Sequence, residues 1–212
     1  MEKPLIMQQF SGIWPPLTSL IVASVIVMGS PGPSTMSATA VGAAFGFRRS
    51  LPYLTGLILG TTAVLVAVAA GVVSLLMSVP RLAPILVIAS AAYIVYLAFK
   101  IATAPPLSNP AAEETSGPSF AGGFLLAVAN PKAYFAIAAV FAGVTFAIES
   151  PLIEGILKAA VLTIMIVGIH LFWLSVGTSF SRLLRDPVSS RIVNLLFAAI
   201  LVITTIMAIV QR

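Results

Sequence analysis

The chain is a succession of long apolar runs separated by short clusters of proline, glycine and charge. Residues 4–47 and 50–80 carry no charged side chain, and each stretch exceeds the roughly 20 residues that an α-helix needs to cross a bilayer. Reading the runs against their punctuation predicts six helices, at about residues 17–45, 51–77, 84–103, 120–148, 152–180 and 192–210. The segment 104–118, with four prolines, Asn109, Glu113 and Glu114, is the long polar connection and reads as a flexible loop. It separates a first half of about 13–103 from a second of about 119–212. Nothing outside the spans is long enough to bury a core, so residues 1–212 are expected to form a single all-α, polytopic membrane domain.

Composition agrees with that reading and removes several alternatives. Of 212 residues 59% are hydrophobic and 8% charged, too few charges to cover a globular surface in water. A soluble enzyme, a disordered chain and a nucleic-acid module are excluded. The 11 Lys and Arg against 6 Asp and Glu give +5, but the cations stand singly or in pairs between apolar runs, as membrane-side anchors do. Without cysteine there is no disulfide, thiolate metal site or thiol nucleophile, and no metal or cofactor is expected. A secretory leader is disfavoured, because Glu2 offsets Lys3 and the apolar pattern runs through the small residues Ala38 and Ala40 as far as Phe47.

Six spans place Arg48, Arg49, Lys100, Arg182, Arg185 and Arg191 on one side and Lys3, Arg81, Lys158 and Arg212 on the other, with Lys132 inside a span. The richer side is expected in the cytoplasm, and both termini outside.

Two places inside the spans break the helical pattern. Ser30-Pro31-Gly32-Pro33 lies in the first span and Asn130-Pro131-Lys132 in the fourth. An interior proline removes a donor, clashes with the preceding turn and costs about 3 kcal/mol or more. Freed carbonyls and amides at membrane depth must be covered by protein or line a polar cavity. Three spans per half is an odd number, so two related halves would sit in opposite orientation as inverted repeats, with the first and fourth helices broken. Lys132 is the sharpest residue, since an intramembrane ammonium costs about 2.5 to 3.5 kcal/mol on insertion scales. With the acidic residues read into the connections, its partners would be broken-helix carbonyls, Asn130, hydroxyls, water or an anionic substrate group. Snorkelling to an interface is the alternative.

At these residues the chain resembles the LysE/RhtB family of amino-acid exporters, small carriers of the bacterial inner membrane. The matching pieces, in order over roughly residues 25–140, are Pro31-Gly32-Pro33, the turn Gly46-Phe47-Arg48-Arg49, Gly56 and Gly60, and Ala92-Tyr93-Ile94-Val95-Tyr96-Leu97. Gly122-Gly123-Phe124, leading to Asn130-Pro131-Lys132, completes the set. Ser50 and Ala98, where glycines are frequent, and a last span without glycine depart from the pattern in ways that bear on packing. The resemblance implies secondary, proton-linked export of an amino acid or small derivative, with the two proline motifs at the centre of the carrier. The expected partners are that solute, protons and the lipid bilayer.

Other positions carry two readings each. Gly56, Gly60, Ala63, Ala67 and Gly71 line one helix face with small side chains, for packing within the chain or for a second copy in a homo-oligomer. Tyr96 suits an interfacial belt, and Tyr93, further in, would offer a hydroxyl to the cavity. His170, inside the fifth span, is either a hydrogen-bonded neutral imidazole or, with Lys132, a proton-coupling group. The competing function classes are an intramembrane enzyme and a non-transporting interaction protein. No nucleophile elbow or acid–histidine motif supports the enzyme, and an intramembrane lysine is hard to explain in a scaffold.

Overall fold

The computed structural model describes residues 5–71, 82–103, 118–179 and 186–210. The loop expected at 104–118 lies outside them except for Pro118, as do Lys3, Arg81, Arg182, Arg185 and Arg212 of the charge argument. Among the described residues there are seven α-helices and no strand: α1 (Leu5–Ala23), α2 (Pro33–Ala69), α3 (Leu82–Ala102), α4 (Phe120–Ala129), α5 (Pro131–Gly143), α6 (Pro151–Ser179) and α7 (Pro187–Val210). The helices α2 and α6 are each long and apolar enough to cross a membrane, and α4 with α5 qualifies as a pair bent by 62°. Large apolar side chains such as Ile164 and Phe172 are exposed at 71% and 62%. Water would penalise those faces, whereas lipid tails accommodate them.

The first broken span begins earlier than its pattern suggests. Helix α1 starts at Leu5 and runs through Pro15 and Pro16, so it accommodates there the lost donors and the crowding of the preceding turn that interior prolines bring. It continues as one π-turn, Ser24–Met28, closed by the Gly29 amide donating to the Ser24 carbonyl at 3.0 Å. Residues 29–32 then leave the helical path, and Pro33 opens α2 as its first helical residue.

Helix α2 is two arms rather than one rod. Gly46 sits at φ 72, ψ 171, a left-handed conformation that glycine adopts without steric cost. The Ser50 hydroxyl donates to the carbonyls of both Gly46, at 2.6 Å, and Val41, at 3.1 Å. Residues 41 and 50 would stand about 13 Å apart along a straight helix. The chain therefore bends sharply at the corner that carries Arg48 and Arg49.

Each arm is held by backbone-close contact. A Cβ built on Gly56 would lie 2.1 Å from the Phe120 carbonyl oxygen, and one on Gly123 would lie 2.1 Å from that of Tyr53, so the second arm and α4 touch main chain to main chain. On the first arm, Gly177 of α6 meets the Thr39 carbonyl in the same way. The small-residue stripe is thus packing within the chain at Gly56 and Gly60, where α4 occupies the place a second copy would need. It does not extend to Ala63, which is exposed, or to Gly71. That glycine follows α2 at φ 73, with nothing within 4 Å of a Cβ there among the described residues, so alanine meets backbone strain of about 1 to 2 kcal/mol. Around these crossings Val41, Phe45, Tyr53, Leu57, Ile94 and Leu126 form one buried cluster, and Leu20, Leu65, Ile137, Val140, Leu162 and Ile166 a second.

Two further elements differ from the sequence reading. Helix α5 ends at Gly143 rather than near 148, and Val144 is extended. Lys158, counted above among connection cations, is instead buried at 7% within α6 and forms an ion pair with Glu154 at 2.7 Å. Its Nζ donates to the Phe141 carbonyl at 3.1 Å, while the Glu154 carboxylate accepts from the Phe146 amide at 3.1 Å. Together they supply the donor that the last turn of α5 lacks and the acceptor that the segment after it needs. Subtracting Lys158 leaves six cations against three. At the start of α7, the Ser189 amide donates to Asp186 at 2.8 Å, and this bond holds the aspartate below its ordinary pKa as an N-terminal cap.

Two measurements test this packing. Gly123→Ala should destabilise the protein by about 1 to 3 kcal/mol through overpacking, whereas Gly168→Ala, with nothing within 4 Å, should be neutral or gain up to about 1 kcal/mol. Thermal unfolding of both variants in detergent decides it, and equal melting points would remove the contact argument. For orientation, Ser50 is a poor reporter because it is fully buried; Phe47, 42% exposed, and the exposed Glu149 replace it. With no native cysteine to interfere, Phe47→Cys should resist an impermeant thiol reagent in intact cells and Glu149→Cys should react. The reverse pattern would invert the assigned sides.

Candidate functional site

The two breaks meet. The Asn130 side-chain amide donates to the Ser34 hydroxyl at 2.8 Å, joining positions 96 residues apart. Asn130 also caps α5, its Oδ1 accepting from the Lys132 amide at 3.1 Å. In α2 the N-cap is Gly32, which has no side chain to offer, and Thr35 in the first turn reaches back so that its hydroxyl accepts from the Gly32 amide at 2.9 Å. Both helices open on proline, so two positive helix ends lie next to one another at the break.

Lys132 completes the junction. Its Nζ donates to the Ser30 carbonyl at 2.5 Å, the Ser30 hydroxyl at 2.8 Å and the Pro31 carbonyl at 3.0 Å, which uses all three ammonium donors. Among the described residues it has no acidic partner. The broken-helix carbonyls offered by the sequence are therefore its partners, and the ammonium is directed at the first break, not out to an interface. Gly32 makes this approach available: a Cβ there would lie 2.6 Å from Lys132 Cδ and 2.8 Å from its Nζ. Its φ of −175 is extended and open to any residue, so room for the lysine, not conformational freedom, requires the glycine.

The remaining carbonyls of the break are also answered. The Trp173 indole donates to the Gly29 carbonyl at 3.0 Å, and the Met36 amide donates to that of Gly32 at 2.8 Å. Every carbonyl from Gly29 to Gly32 thus has a donor, as membrane depth demands. Trp173 was not a candidate from sequence. Nor were Ser30, Ser34 and Thr35, although a run of hydroxyl residues around Pro31 and Pro33 is the signal that would have marked them.

Beside this junction lies a cavity of about 40 Å³, lined by Gly32, Thr35, Thr61, Lys132 and His170 and otherwise chiefly by apolar side chains such as Met28, Ile137 and Ile166. On the scale of about 10 to 15 Å³ for each water this holds roughly three. The structure brings Pro31, Gly32, Pro33, Asn130, Pro131 and Lys132 together and sets His170 on the same cavity. Tyr93 belongs to α3, but its side chain lies outside the described residues. Among the described residues no cluster of metal-ligating side chains occurs.

Comparison with known proteins places this architecture. Cysteine/O-acetylserine efflux proteins of Escherichia coli O1:K1, E. coli strain K12 and Shigella flexneri serotype 5b are each 31% identical to the chain over 188 residues, covering 88% of it and 93% of the relative. No solved structure matches. The family model of the LysE type translocators matches residues 25–212. The chain therefore belongs to the LysE type translocator family, and it is a multi-pass membrane transporter rather than an enzyme.

Proposed function

We propose that the protein exports a small amino acid or amino-acid derivative across the bacterial inner membrane by secondary active transport, with Lys132 as the group that couples substrate to the helix breaks. The observation that carries this reading is the ammonium of Lys132 at the cavity wall, bonded to break carbonyls and without an acidic partner among the described residues. A half-buried cation so placed attracts an anion, and the two helix N-termini beside it favour the same charge. The substrate carboxylate is that anion. The small cavity favours a short side chain, in keeping with relatives named for cysteine and O-acetylserine efflux.

The donor count gives the coupling its form. All three N–H bonds of Lys132 are engaged, so an arriving carboxylate must draw one or more away from Ser30 and Pro31. Carbonyls released in this way need new donors, and the chain supplies them by moving one arm of the break against the other. Such a rearrangement suits alternating access between two inverted three-helix halves, with α2 and α5 opening at matching prolines. Proton antiport requires a proton to enter as the substrate leaves, so a group on the cavity other than the carboxylate-bound Lys132 ammonium would take it up from outside and release it to the cytoplasm. The runner-up classes, an intramembrane enzyme and a non-transporting scaffold, give Lys132 no task.

The test is substrate flux in liposomes of purified protein. Lys132→Met removes the costly charge but also the donor to the Ser30 and Pro31 carbonyls, so flux is compared per amount of folded protein in the membrane. Its flux should fall at least about tenfold, on the scale of one lost charge-assisted hydrogen bond. Lys132→Arg should also be impaired, since the planar fork cannot reproduce the geometry of a compact ammonium. Gly32→Ala should lower flux by displacing Lys132 from the break. An imposed pH gradient should change wild-type efflux, and a protonophore should abolish that change. Wild-type flux in well-inserted Lys132→Met protein would end the assignment.

A further inference from the structure

The cavity presents a cation and no carboxylate, yet an amino acid brings an ammonium group as well as a carboxylate. Among the side chains that line the cavity, four besides Lys132 carry acceptors: Ser34, Thr35, Thr61 and His170. Ser34 accepts from Asn130, and Thr35 accepts from the Gly32 amide while donating to its carbonyl at 3.1 Å. Two acceptors remain. His170 Nε2 and Thr61 Oγ1 are buried and have no hydrogen-bond partner among the described residues; their residues are 4% and 6% exposed.

The His170 ring is oriented by its other nitrogen. Nδ1 lies 2.8 Å from the Ile166 carbonyl, one turn back on α6. A carbonyl only accepts, so Nδ1 carries the proton and, in the neutral ring, Nε2 presents a lone pair. Leaving such an acceptor buried and unanswered costs free energy that a donor entering the cavity recovers. Thr61 stands on the second arm of α2 and His170 on α6, so a donor placed between them links the two elements.

We propose that His170 Nε2 and Thr61 Oγ1 accept hydrogen bonds from the substrate's amino group while Lys132 takes its carboxylate. The inference rests on the export reading above and assigns the second half of the zwitterion. His170 is then a specificity-determining residue whose neutral lone pair serves recognition, in place of the proton relay open from sequence. A solute without an N–H donor forfeits these bonds.

The experiment measures counterflow in liposomes of purified protein with two solutes, cysteine and 3-mercaptopropionate, which differ by the amino group. Protein-free liposomes provide the background. Wild-type protein should prefer cysteine by about tenfold to a hundredfold, the scale of one or two hydrogen bonds to a charged group. His170→Leu should bring the ratio to within about threefold of unity, and His170→Gln, whose amide oxygen accepts, should restore part of it. Thr61→Val should lower the ratio by a smaller factor. Lys132→Met should depress both solutes together. A His170→Leu protein in which both fluxes fall equally, with the ratio kept, would show a merely structural histidine and overturn the proposal. Wild-type protein that moves neither these solutes nor any of a panel of other small amino acids would overturn the export reading itself, and this assignment with it.

Discussion

Backbone carbonyls at membrane depth have no water to turn to, and the carbonyls of residues 29–32 are the place where this chain meets that constraint. Each is answered by a donor from elsewhere: the indole of Trp173, the ammonium of Lys132 and the first turn of α2. The break therefore exists only in company. Remove its donors and the free energy of several orphaned carbonyls, about 1 to 3 kcal/mol each, falls on a fold whose margin is of similar size. This makes one lysine both a structural tie and the natural point at which a solute gains a hold on the fold.

The two arms of α2 give that hold something to act on. Main-chain contact at Gly56 and Gly123 fixes the second arm to α4, and contact at Gly177 fixes the first arm to α6. Interfaces of this kind have almost no side chain between the helices, so they tolerate little internal rearrangement. The proposed rearrangement would fall instead on the places without such contact, the segment around residues 29–32 and the bend at Asn130. The clasp of Glu154 and Lys158 with the α5–α6 connection holds the far end of α5 in the same spirit.

What the sequence disclosed follows from which rules are local. Proline and glycine inside an apolar run, and a lone lysine there, violate helix and bilayer rules within a few residues, so both breaks and Lys132 could be named at once. Their partners could not, since Trp173 lies 144 residues from Gly29 and Ser34 lies 96 from Asn130. Only the fold brings them together. The Glu154–Lys158 pair was legible in principle, because acid and base four apart share a helix face, but counting Lys158 as a loop cation hid it. Gly71 was misread for the opposite reason: its spacing matched a packing stripe, and the positive φ that decides its role leaves no trace in periodicity. The end of α5 and the segment after it are tied by bonds spanning seventeen residues, from Lys158 to Phe141, and eight, from Phe146 to Glu154, beyond one helical turn.

The bond between Trp173 and Gly29 has an optical consequence. Indole emission responds to the polarity and hydrogen bonding of its N–H, and the chain has only two tryptophans. One of them, Trp14, is 61% exposed and near the beginning of the chain, while the other holds a carbonyl of the break itself. Replacing Trp14 with phenylalanine leaves a protein whose indole fluorescence, excited selectively over its four tyrosines, reports on a single backbone position at the heart of the carrier. The molecule thus contains a native spectroscopic gauge of its own helix break, readable in unlabelled protein and in real time.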